Sequence, residues 1–164
     1  KEMPHTLKDE ILMSALGKIL QLRYTESLRE EEGGTYGASS WGQLFKEPKP
    51  VAYLSVSFDS NPELAEKLIA IVHNEIDKIR NGTVLQNDLD KITTNLLKER
   101  EDSKSLNAYE MSSIKNFILE GYDMNAPENF ENIVKSITIK DIQDITKRLL
   151  DDHKSFEIVF KPAD

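Results

Sequence analysis

The first organised segment of the chain carries apolar residues at helical spacing. Thr6 precedes this segment as a candidate cap, and Asp9 places an acidic side chain in its first turn. Gly17 is the one interruption, and glycine costs about 1 kcal/mol relative to alanine inside a helix. The pair Gly33-Gly34 is expected to end the helix, because glycine readily takes the left-handed conformation just past a helix end. The pattern predicts a helix of about 25 residues, roughly 37 Å long. Its apolar stripe consists of Leu7, Ile11, Leu12, Ala15, Leu16, Ile19 and Leu20.

Two segments with β character follow this helix. Residues 35–42 are rich in small and aromatic residues, and Val51–Phe58 alternates between two faces. Residues 46–50, with two prolines, form a turn between them. The two segments are therefore predicted to pair as a hairpin.

Helical periodicity dominates the rest of the chain until a short segment with β character, residues 156–160. The predicted helix starts are two capping-box patterns, one over residues 60–63 and one at Thr83 with Gln86, then Leu106, residues 125–128 and Thr138. Gly121 is expected to end the helix that starts near Leu106.

Strands and helices are segregated along the chain, which favours an α+β fold. We expect a small antiparallel sheet, made of the hairpin and the C-terminal strand 156–160, covered by several helices on one face. Three strands are few for so many helices, so at least one more strand is expected to precede Lys1 in a longer parent protein. Residues 1–164 are taken as a single, partial domain.

Composition excludes several classes of protein. Apolar residues make up 38% and charged residues 30% of the 164 residues, and no run of apolar residues approaches the length of a transmembrane helix. The net charge of −8 makes nucleic-acid binding a poor hypothesis, because an acidic surface repels phosphates. The absence of cysteine excludes disulfides and thiolate metal sites.

The sequence contains no complete catalytic motif. Its histidines, His5, His73 and His153, are far apart and form neither HExxH nor HxxEH, so a zinc site built from this chain alone is not expected. No GxSxG motif and no Cys-His pair is present. Residues 33–37 are glycine-rich but lead from a helix into a strand, the reverse of the order in a phosphate-binding loop.

Arg29 and Tyr36 are the candidate site residues. Arg29 lies near the end of the predicted long helix and Tyr36 near the start of the following strand, so the turn can bring both heads to one side. A guanidinium and a phenol in such positions can bind a peptide carbonyl and stabilise an oxyanion that forms on it. The alternative is structural: Arg29 pairs with Glu26 or Glu32 on the helix surface, and Tyr36 is an ordinary strand aromatic. The residues alone leave both interpretations open.

Residues 22–37 resemble a stretch of the C-terminal domains of M16 (pitrilysin or insulinase type) zinc metallopeptidases. That stretch reads as a long helix, then L-R-E-x-x-G-x-x-Y, then a strand, and the letters are matched here by residues 28–36. The strand-to-helix junction at residues 57–63, the Asn81-Gly82-Thr83 turn and the Thr138 cap are similar in order and spacing.

The resemblance implies a division of labour between parts of a larger protein. M16 peptidases are built from repeated α+β domains in two halves that enclose a chamber, and an N-terminal domain with an HxxEH motif holds the zinc and the general base. A C-terminal domain contributes an arginine and a tyrosine, which would be Arg29 and Tyr36 here, to hold the substrate backbone and polarise the scissile carbonyl.

The expected partners are therefore the N-terminal catalytic half of the same protein, or a partner subunit, and a peptide substrate. Zinc is expected in the intact parent and not in this chain, which is expected to be inactive by itself. Bacterial proteins of this type often work in the cell envelope.

Two other functions stay open. A non-catalytic M16-like scaffold or partner subunit would keep the fold without the chemistry. An unrelated helical interaction domain, with the long first helix as a docking surface, would be favoured by a helical bundle without a sheet.

Overall fold

The structure is a computed structural model that describes residues 1–31, 35, 37–121, 123, 126–152 and 154–160. Within these ranges, the side chains of residues 29–31, 120 and 126–128 are outside the description. The elements, in chain order, are helix α1 (Leu7–Tyr24), a π-helical segment (Thr25–Glu31), strands β1 (Ala38–Phe45) and β2 (Val51–Phe58), and helices α2 (Ala65–Arg80), α3 (Gln86–Lys104), α4 (Asn107–Glu120), α5 (Ala126–Ser136) and α6 (Ile139–Leu150).

The long first helix is confirmed, and its last part has an unexpected geometry. The Thr6 hydroxyl accepts a hydrogen bond from the Asp9 amide at 3.0 Å, which caps α1 as predicted. Most of the predicted apolar stripe is buried. After Tyr24 the chain continues as the π-helical segment Thr25–Glu31. The expected end at Gly33-Gly34 lies outside the described residues.

The predicted hairpin is also confirmed. β1 and β2 are antiparallel neighbours, with Ala38 opposite Phe58 and Phe45 opposite Val51. The inward positions of β1 are buried and its outward positions are exposed in strict alternation, as expected for a sheet with one face on the core. Because a sheet is present, the alternative of a helical bundle without a sheet is excluded.

The predicted C-terminal strand is wrong. Residues 156–160 form neither a helix nor a paired strand, and Phe156 and Phe160 are 85% and 92% exposed. A strand needs a neighbouring edge for its backbone hydrogen bonds. β1 and β2 form a two-stranded sheet that does not include this tail. The tail is instead attached by a side-chain hydrogen bond of 2.7 Å between His73 and Glu157.

The helix α1 crosses the sheet at two facing glycines. A Cβ atom added to Gly17 would lie 2.3 Å from the Gly42 nitrogen, and one added to Gly42 would lie 2.2 Å from the Met13 carbonyl oxygen. Real Cβ atoms essentially never come that close to backbone atoms. Glycine at position 17 lowers the stability of the helix when the helix is considered alone. In the folded domain, however, it lets the backbones of α1 and β1 approach each other.

The remaining helices pack mainly on α1 and on one another, but two of their predicted caps are wrong. α2 and α3 begin later than the patterns at residues 60–63 and Thr83 predict, and neither has a side-chain cap. Residues 62–64 form a turn instead, and the Thr83 carbonyl accepts a hydrogen bond from Arg23. The Thr138 capping box of α6 and the left-handed Gly121 after α4 are confirmed. None of the helices in the described ranges is long and apolar enough to cross a membrane.

Candidate substrate-binding site

The two predicted site residues fall at the edge of what the structure describes. The backbone of Arg29 belongs to the π-helical segment, but its side chain lies outside the description, as does the whole of Tyr36. The proposed contact between them stays a prediction. The surrounding residues are described, and they show how the chain is held on both sides of this pair.

Arg29 lies in an uncommon backbone geometry. π-Helical turns are rare and are frequently found at functional sites. Leu28 is completely buried, which anchors the segment on the core. The hydroxyls of Thr25 and Ser27 donate to the carbonyls of Gln21 and Arg23, four residues back, at 2.9 and 2.8 Å. Hydroxyls that bond in this way bend a helix, so the local sequence favours the departure from α geometry.

Gln21 ties the end of α1 to the start of β1. Its side-chain amide nitrogen donates to the Ala38 carbonyl at 2.5 Å, and its side-chain oxygen accepts from the Ser40 amide at 2.7 Å. Both groups belong to the first three residues of β1. Gln21 thereby bonds backbone groups of β1 as a neighbouring strand would. These bonds set the position of α1 along β1.

Thr35 holds the backbone on either side of Tyr36. Its hydroxyl donates to the Gly37 carbonyl at 2.8 Å and accepts from the Gly37 amide at 3.1 Å. Thr35 itself is buried. The Thr35 side chain therefore holds the Gly37 backbone just before β1, as Ser and Thr hydroxyls do in local bonds to the backbone.

A buried ionic cluster below this junction was missed by the sequence analysis. The Arg23 guanidinium donates to the Thr83 carbonyl at 2.6 Å, and it lies 3.4 Å from an Asp88 carboxylate oxygen and 3.5 Å from a Glu75 carboxylate oxygen. The three side chains are only 9–13% exposed. The cluster ties α1 to α2 and α3 just before the π-helical segment. The sequence contained one signal for this cluster: Arg23 is a charged residue at a position that continues the apolar stripe of α1.

Tyr24 adds a second polar tie at the same level. Its hydroxyl donates to the Val72 carbonyl of α2 at 3.2 Å, in the interior of the domain. Burial raises the pKa of the Tyr24 phenol far above its usual value, and the nearby Glu75 carboxylate raises it further. The phenol therefore remains protonated and serves as a hydrogen-bond donor at all physiological pH values.

Each of the two described histidines lies within hydrogen-bond distance of a carboxylate. A nitrogen of the His5 ring lies 3.0 Å from Glu10, and His73 lies 2.7 Å from Glu157. His153 lies outside the described residues. In the ranges that the structure describes, no three His, Cys, Asp or Glu side chains are grouped closely enough to hold a metal ion. These residues do not fit a zinc site, and the metal-free state of the whole chain stays a prediction.

Replacing Gln21 with methionine should loosen the junction. The change keeps the size of the side chain but leaves the Ala38 carbonyl and the Ser40 amide without their partner, which costs about 2 kcal/mol for partly buried groups. We expect faster amide hydrogen exchange at Ser40 and a lower midpoint in urea unfolding. As a control, Gln86→Met removes only an exposed contact with Asp90 and should change little. Equal effects of the two substitutions would contradict the role of Gln21.

A family model covers more than half of the chain. Residues 2–96 match the model described as the peptidase M16 inactive domain. This range contains α1, the π-helical segment, the hairpin and α2, and thus the whole junction that carries Arg29 and Tyr36. No curated protein sequence matches the chain.

Several solved structures with the same fold are named as proteases or as peptidase domains. The periplasmic protease PqqL from Escherichia coli has a TM-score of 0.75 at 19% identity over 92% of this chain, and the ferredoxin protease FusC, solved with Arabidopsis ferredoxin, has a TM-score of 0.72 at 19% identity over 91%. A peptidase M16 inactive domain from Pseudomonas fluorescens has a TM-score of 0.70 at 15% identity over 85%. The matches span only 16% of the PqqL and FusC chains and 34% of the Pseudomonas chain.

Proposed function

Because this chain belongs to the peptidase M16 family, we propose that it is the substrate-binding domain of a zinc-dependent endopeptidase whose zinc site lies in another part of the protein. The junction of α1 and β1 carries this proposal. Gln21 holds the helix against the strand, Leu28 anchors the segment to which Arg29 belongs, and Thr35 is hydrogen-bonded to Gly37 just before β1. These contacts of the neighbouring described residues support the proposal that Arg29 and Tyr36 act together.

The proposed chemistry of the pair is electrostatic. Arg29 provides a guanidinium with several N–H donors, and Tyr36 provides one O–H donor. Donors fixed in advance stabilise the negative charge that develops on a carbonyl oxygen under attack, because they need little reorganisation in the transition state. Neither residue is suited to act as a general base at neutral pH. In the intact enzyme the base and the zinc-bound water would come from the catalytic half.

The partner of this domain is proposed to be the catalytic half of the same polypeptide. This chain spans only 16% of the length of the two proteases named above, so those proteins contain much more chain than this domain. The helix α4 exposes an apolar surface that includes Met111, Ile118 and Leu119, which are 67%, 67% and 70% exposed. Apolar surfaces of this kind are typical of contacts with another protein unit.

The substitutions Arg29→Ala and Tyr36→Phe test the proposed role. In the intact protein that contains this chain, each should lower kcat/KM for an unstructured peptide by about tenfold or more, as expected for the loss of one oxyanion donor. The measurement is steady-state peptide hydrolysis, with zinc content determined for each variant. The chain of residues 1–164 by itself should show neither turnover nor stoichiometric zinc, and finding either would overturn the division of labour proposed here.

Matched controls come from residues of the same types elsewhere. Arg80→Ala removes an exposed guanidinium, and Tyr53→Phe removes an exposed phenol, so both should leave hydrolysis unchanged. Unchanged kinetics in both Arg29→Ala and Tyr36→Phe would remove the proposed role of the pair.

The alternative function is a non-catalytic scaffold. The description of the matching family model as an inactive domain favours this function as much as it favours a substrate-binding domain. The two functions differ in the parent protein. An upstream HxxEH motif with measurable peptide hydrolysis supports the substrate-binding domain, whereas its absence, with no hydrolysis by the intact protein, supports the scaffold.

A further inference from the structure

The outward face of the β-hairpin carries no charged side chain. It consists of the four cross-strand pairs that alternate with the buried positions, namely Ser39 with Ser57, Trp41 with Ser55, Gln43 with Tyr53 and Phe45 with Val51. Charged residues make up 30% of the chain, and the solvent-facing side of an antiparallel sheet is usually polar. Surfaces where proteins bind one another are depleted in charge and enriched in aromatic residues at their centre. We call the residues of these four pairs the neutral face, and its composition is that of a binding surface.

Trp41 is at the centre of the more open half of this face. It is 42% exposed, its direct cross-strand neighbour is Ser55, and the pair of Ser39 and Ser57 lies next to it. Cross-strand neighbours on one face lie about 5 Å apart and diagonal neighbours about 7–8 Å apart. Because three of these neighbours are serines with short side chains, they leave a depression beside the indole ring.

The other half of the neutral face is filled by its own side chains. The rings of Phe45 and Tyr53 pack with their centroids 5.6 Å apart, and the Tyr53 hydroxyl donates to the Gln43 side chain. By contrast, the hydroxyls of the three serines form no hydrogen bond with other described residues. The depression beside Trp41 therefore offers hydroxyl groups that can bond a peptide backbone.

A wide cavity opens onto this depression. Trp41 and the three serines line it, and it continues around β2 to α2 and to residues 154–160. The whole cavity has a volume of about 1440 Å³, whereas pockets for small molecules hold about 300–1000 Å³. Its size fits a stretch of polypeptide better than a small molecule.

We propose that Trp41, with the serines Ser39, Ser55 and Ser57, binds an apolar side chain, preferably an aromatic one, of an extended peptide substrate. The domain thereby selects unfolded peptide segments that contain such residues. This inference rests on the proposed function, since it names the substrate class of the proposed substrate-binding domain. Trp41 follows Tyr36 by five residues, and five residues of polypeptide span at most about 18 Å, so one peptide can reach both positions.

The chemistry of the neutral face determines which side chain it accepts. An aromatic ring that packs against the Trp41 indole removes apolar surface of both rings from water, and ring pairs gain further from offset or edge-to-face geometry. A carboxylate or an ammonium group in the same place loses hydration without meeting an opposite charge. Charged side chains are therefore expected to bind this face more weakly than aromatic ones.

The fluorescence of Trp41 tests the proposal directly, because Trp41 is the only tryptophan of the chain. The chain of residues 1–164 is titrated with short unstructured peptides that differ only in their central residue, which is phenylalanine, aspartate or lysine, and are otherwise uncharged. The phenylalanine peptide should shift the Trp41 emission to shorter wavelength, and the two charged peptides should bind about tenfold or more weakly. Equal affinities of the three peptides, or no shift with about 1 mM phenylalanine peptide, would overturn the proposal.

Ser55→Glu should reverse the preference between these peptides. The change places a carboxylate directly opposite Trp41 while the fluorophore stays in place. The phenylalanine peptide should bind about tenfold more weakly, and the lysine peptide more tightly, because lysine then meets an opposite charge. Ser112→Glu, at an exposed position of α4, adds the same charge elsewhere and should change neither affinity.

Thermal unfolding verifies that each of these variants is folded. If Ser55→Glu does not fold, Ser57→Glu at the neighbouring exposed pair tests the same expectation. An unchanged preference in the folded variant would contradict the proposal.

Peptide hydrolysis by the intact protein separates this inference from the proposed function. Trp41→Ala should lower kcat/KM for the phenylalanine peptide by about tenfold through KM, with little change for the aspartate peptide, and Trp41→Phe should restore most of the loss. Leu85→Ala, which changes an exposed apolar residue before α3, is the control and should affect neither peptide. An intact protein that hydrolyses no peptide would overturn the proposed function, while the fluorescence titration would still decide whether the face binds apolar side chains. Hydrolysis with the same loss, or no loss, for both peptides in Trp41→Ala would overturn the inference and leave the proposed function standing.

Two other occupants of the neutral face would be recognised by these measurements. If the Trp41 emission shifts with the concentration of the chain, together with dimer formation in sedimentation, the occupant is a second copy of this chain. If Trp41→Ala lowers the Tm of the intact protein but not that of residues 1–164, and leaves the peptide preference unchanged, the face contacts the rest of the parent protein. Either result is contrary to the proposal.

Discussion

Replacing Arg23 with methionine should destabilise the domain by about 3 kcal/mol, and the Tm should fall by roughly 10 °C. Methionine retains much of the length and apolar volume of the arginine stem, so the loss of stability comes from removing the positive charge. Glu75 retains a contact with Lys78, but Asp88 loses the cation that lies 3.4 Å away. The Thr83 carbonyl also loses its hydrogen bond from Arg23. Breaking a buried ion pair from one side leaves an uncompensated charge, which is far more costly than losing a surface pair.

Arg80→Met is the matched control for this prediction. Arg80 lies 3.8 Å from Asp151, and their side chains are 42% and 66% exposed, so the substitution should change the free energy of unfolding by less than about 0.5 kcal/mol. A double-mutant cycle of Arg23→Met with Asp88→Asn should show a coupling of at least about 1 kcal/mol. Urea unfolding of the variants measures both. A loss in Arg23→Met no larger than in Arg80→Met would show that the cluster does not stabilise the fold.

Gly17→Ala is expected to destabilise the domain by about 3 kcal/mol, although helix propensity alone predicts the opposite sign. Alanine is favoured over glycine inside a helix by about 1 kcal/mol. The added Cβ atom would, however, lie 2.3 Å from the Gly42 nitrogen and 2.8 Å from backbone atoms of Trp41. Backbone atoms in a paired strand cannot move aside as a flexible side chain can, so α1 must shift away from the sheet and lose packing.

The sign of this effect is easily measured by thermal unfolding. Gly37→Ala is the control, because a Cβ atom there would have nothing within 4 Å, and the Tm should stay nearly unchanged. Gly42→Ala should be as harmful as Gly17→Ala, and the double variant should lose less than the sum, because one displacement of the helix makes room for both methyl groups. A rise in Tm for Gly17→Ala would mean that the helix and the strand are not in close contact.

Part of the candidate site was predictable from residues that are close in sequence. The helix that leads to Arg29 and the strand that follows Tyr36 could be predicted, because each element is specified by its own periodicity. The contact of Gln21 with Ala38 and Ser40 could not, because a glutamine on a helix gives no sign of which backbone groups it will meet. The π-helical geometry at Thr25–Glu31 was equally hidden in a pattern that fits an ordinary helix.

The sequence by itself determined the long first helix, the hairpin, the cap of α6 and the α+β class, together with the resemblance to the M16 family. These features depend on hydrophobic periodicity, turn residues and caps, all of which act within a few positions along the chain. Only the tertiary structure decided the role of Gly17, the burial of Arg23 and the failure of residues 156–160 to form a strand. Each of these depends on what another part of the chain places beside the residue: a strand backbone, two carboxylates, or a sheet edge within reach.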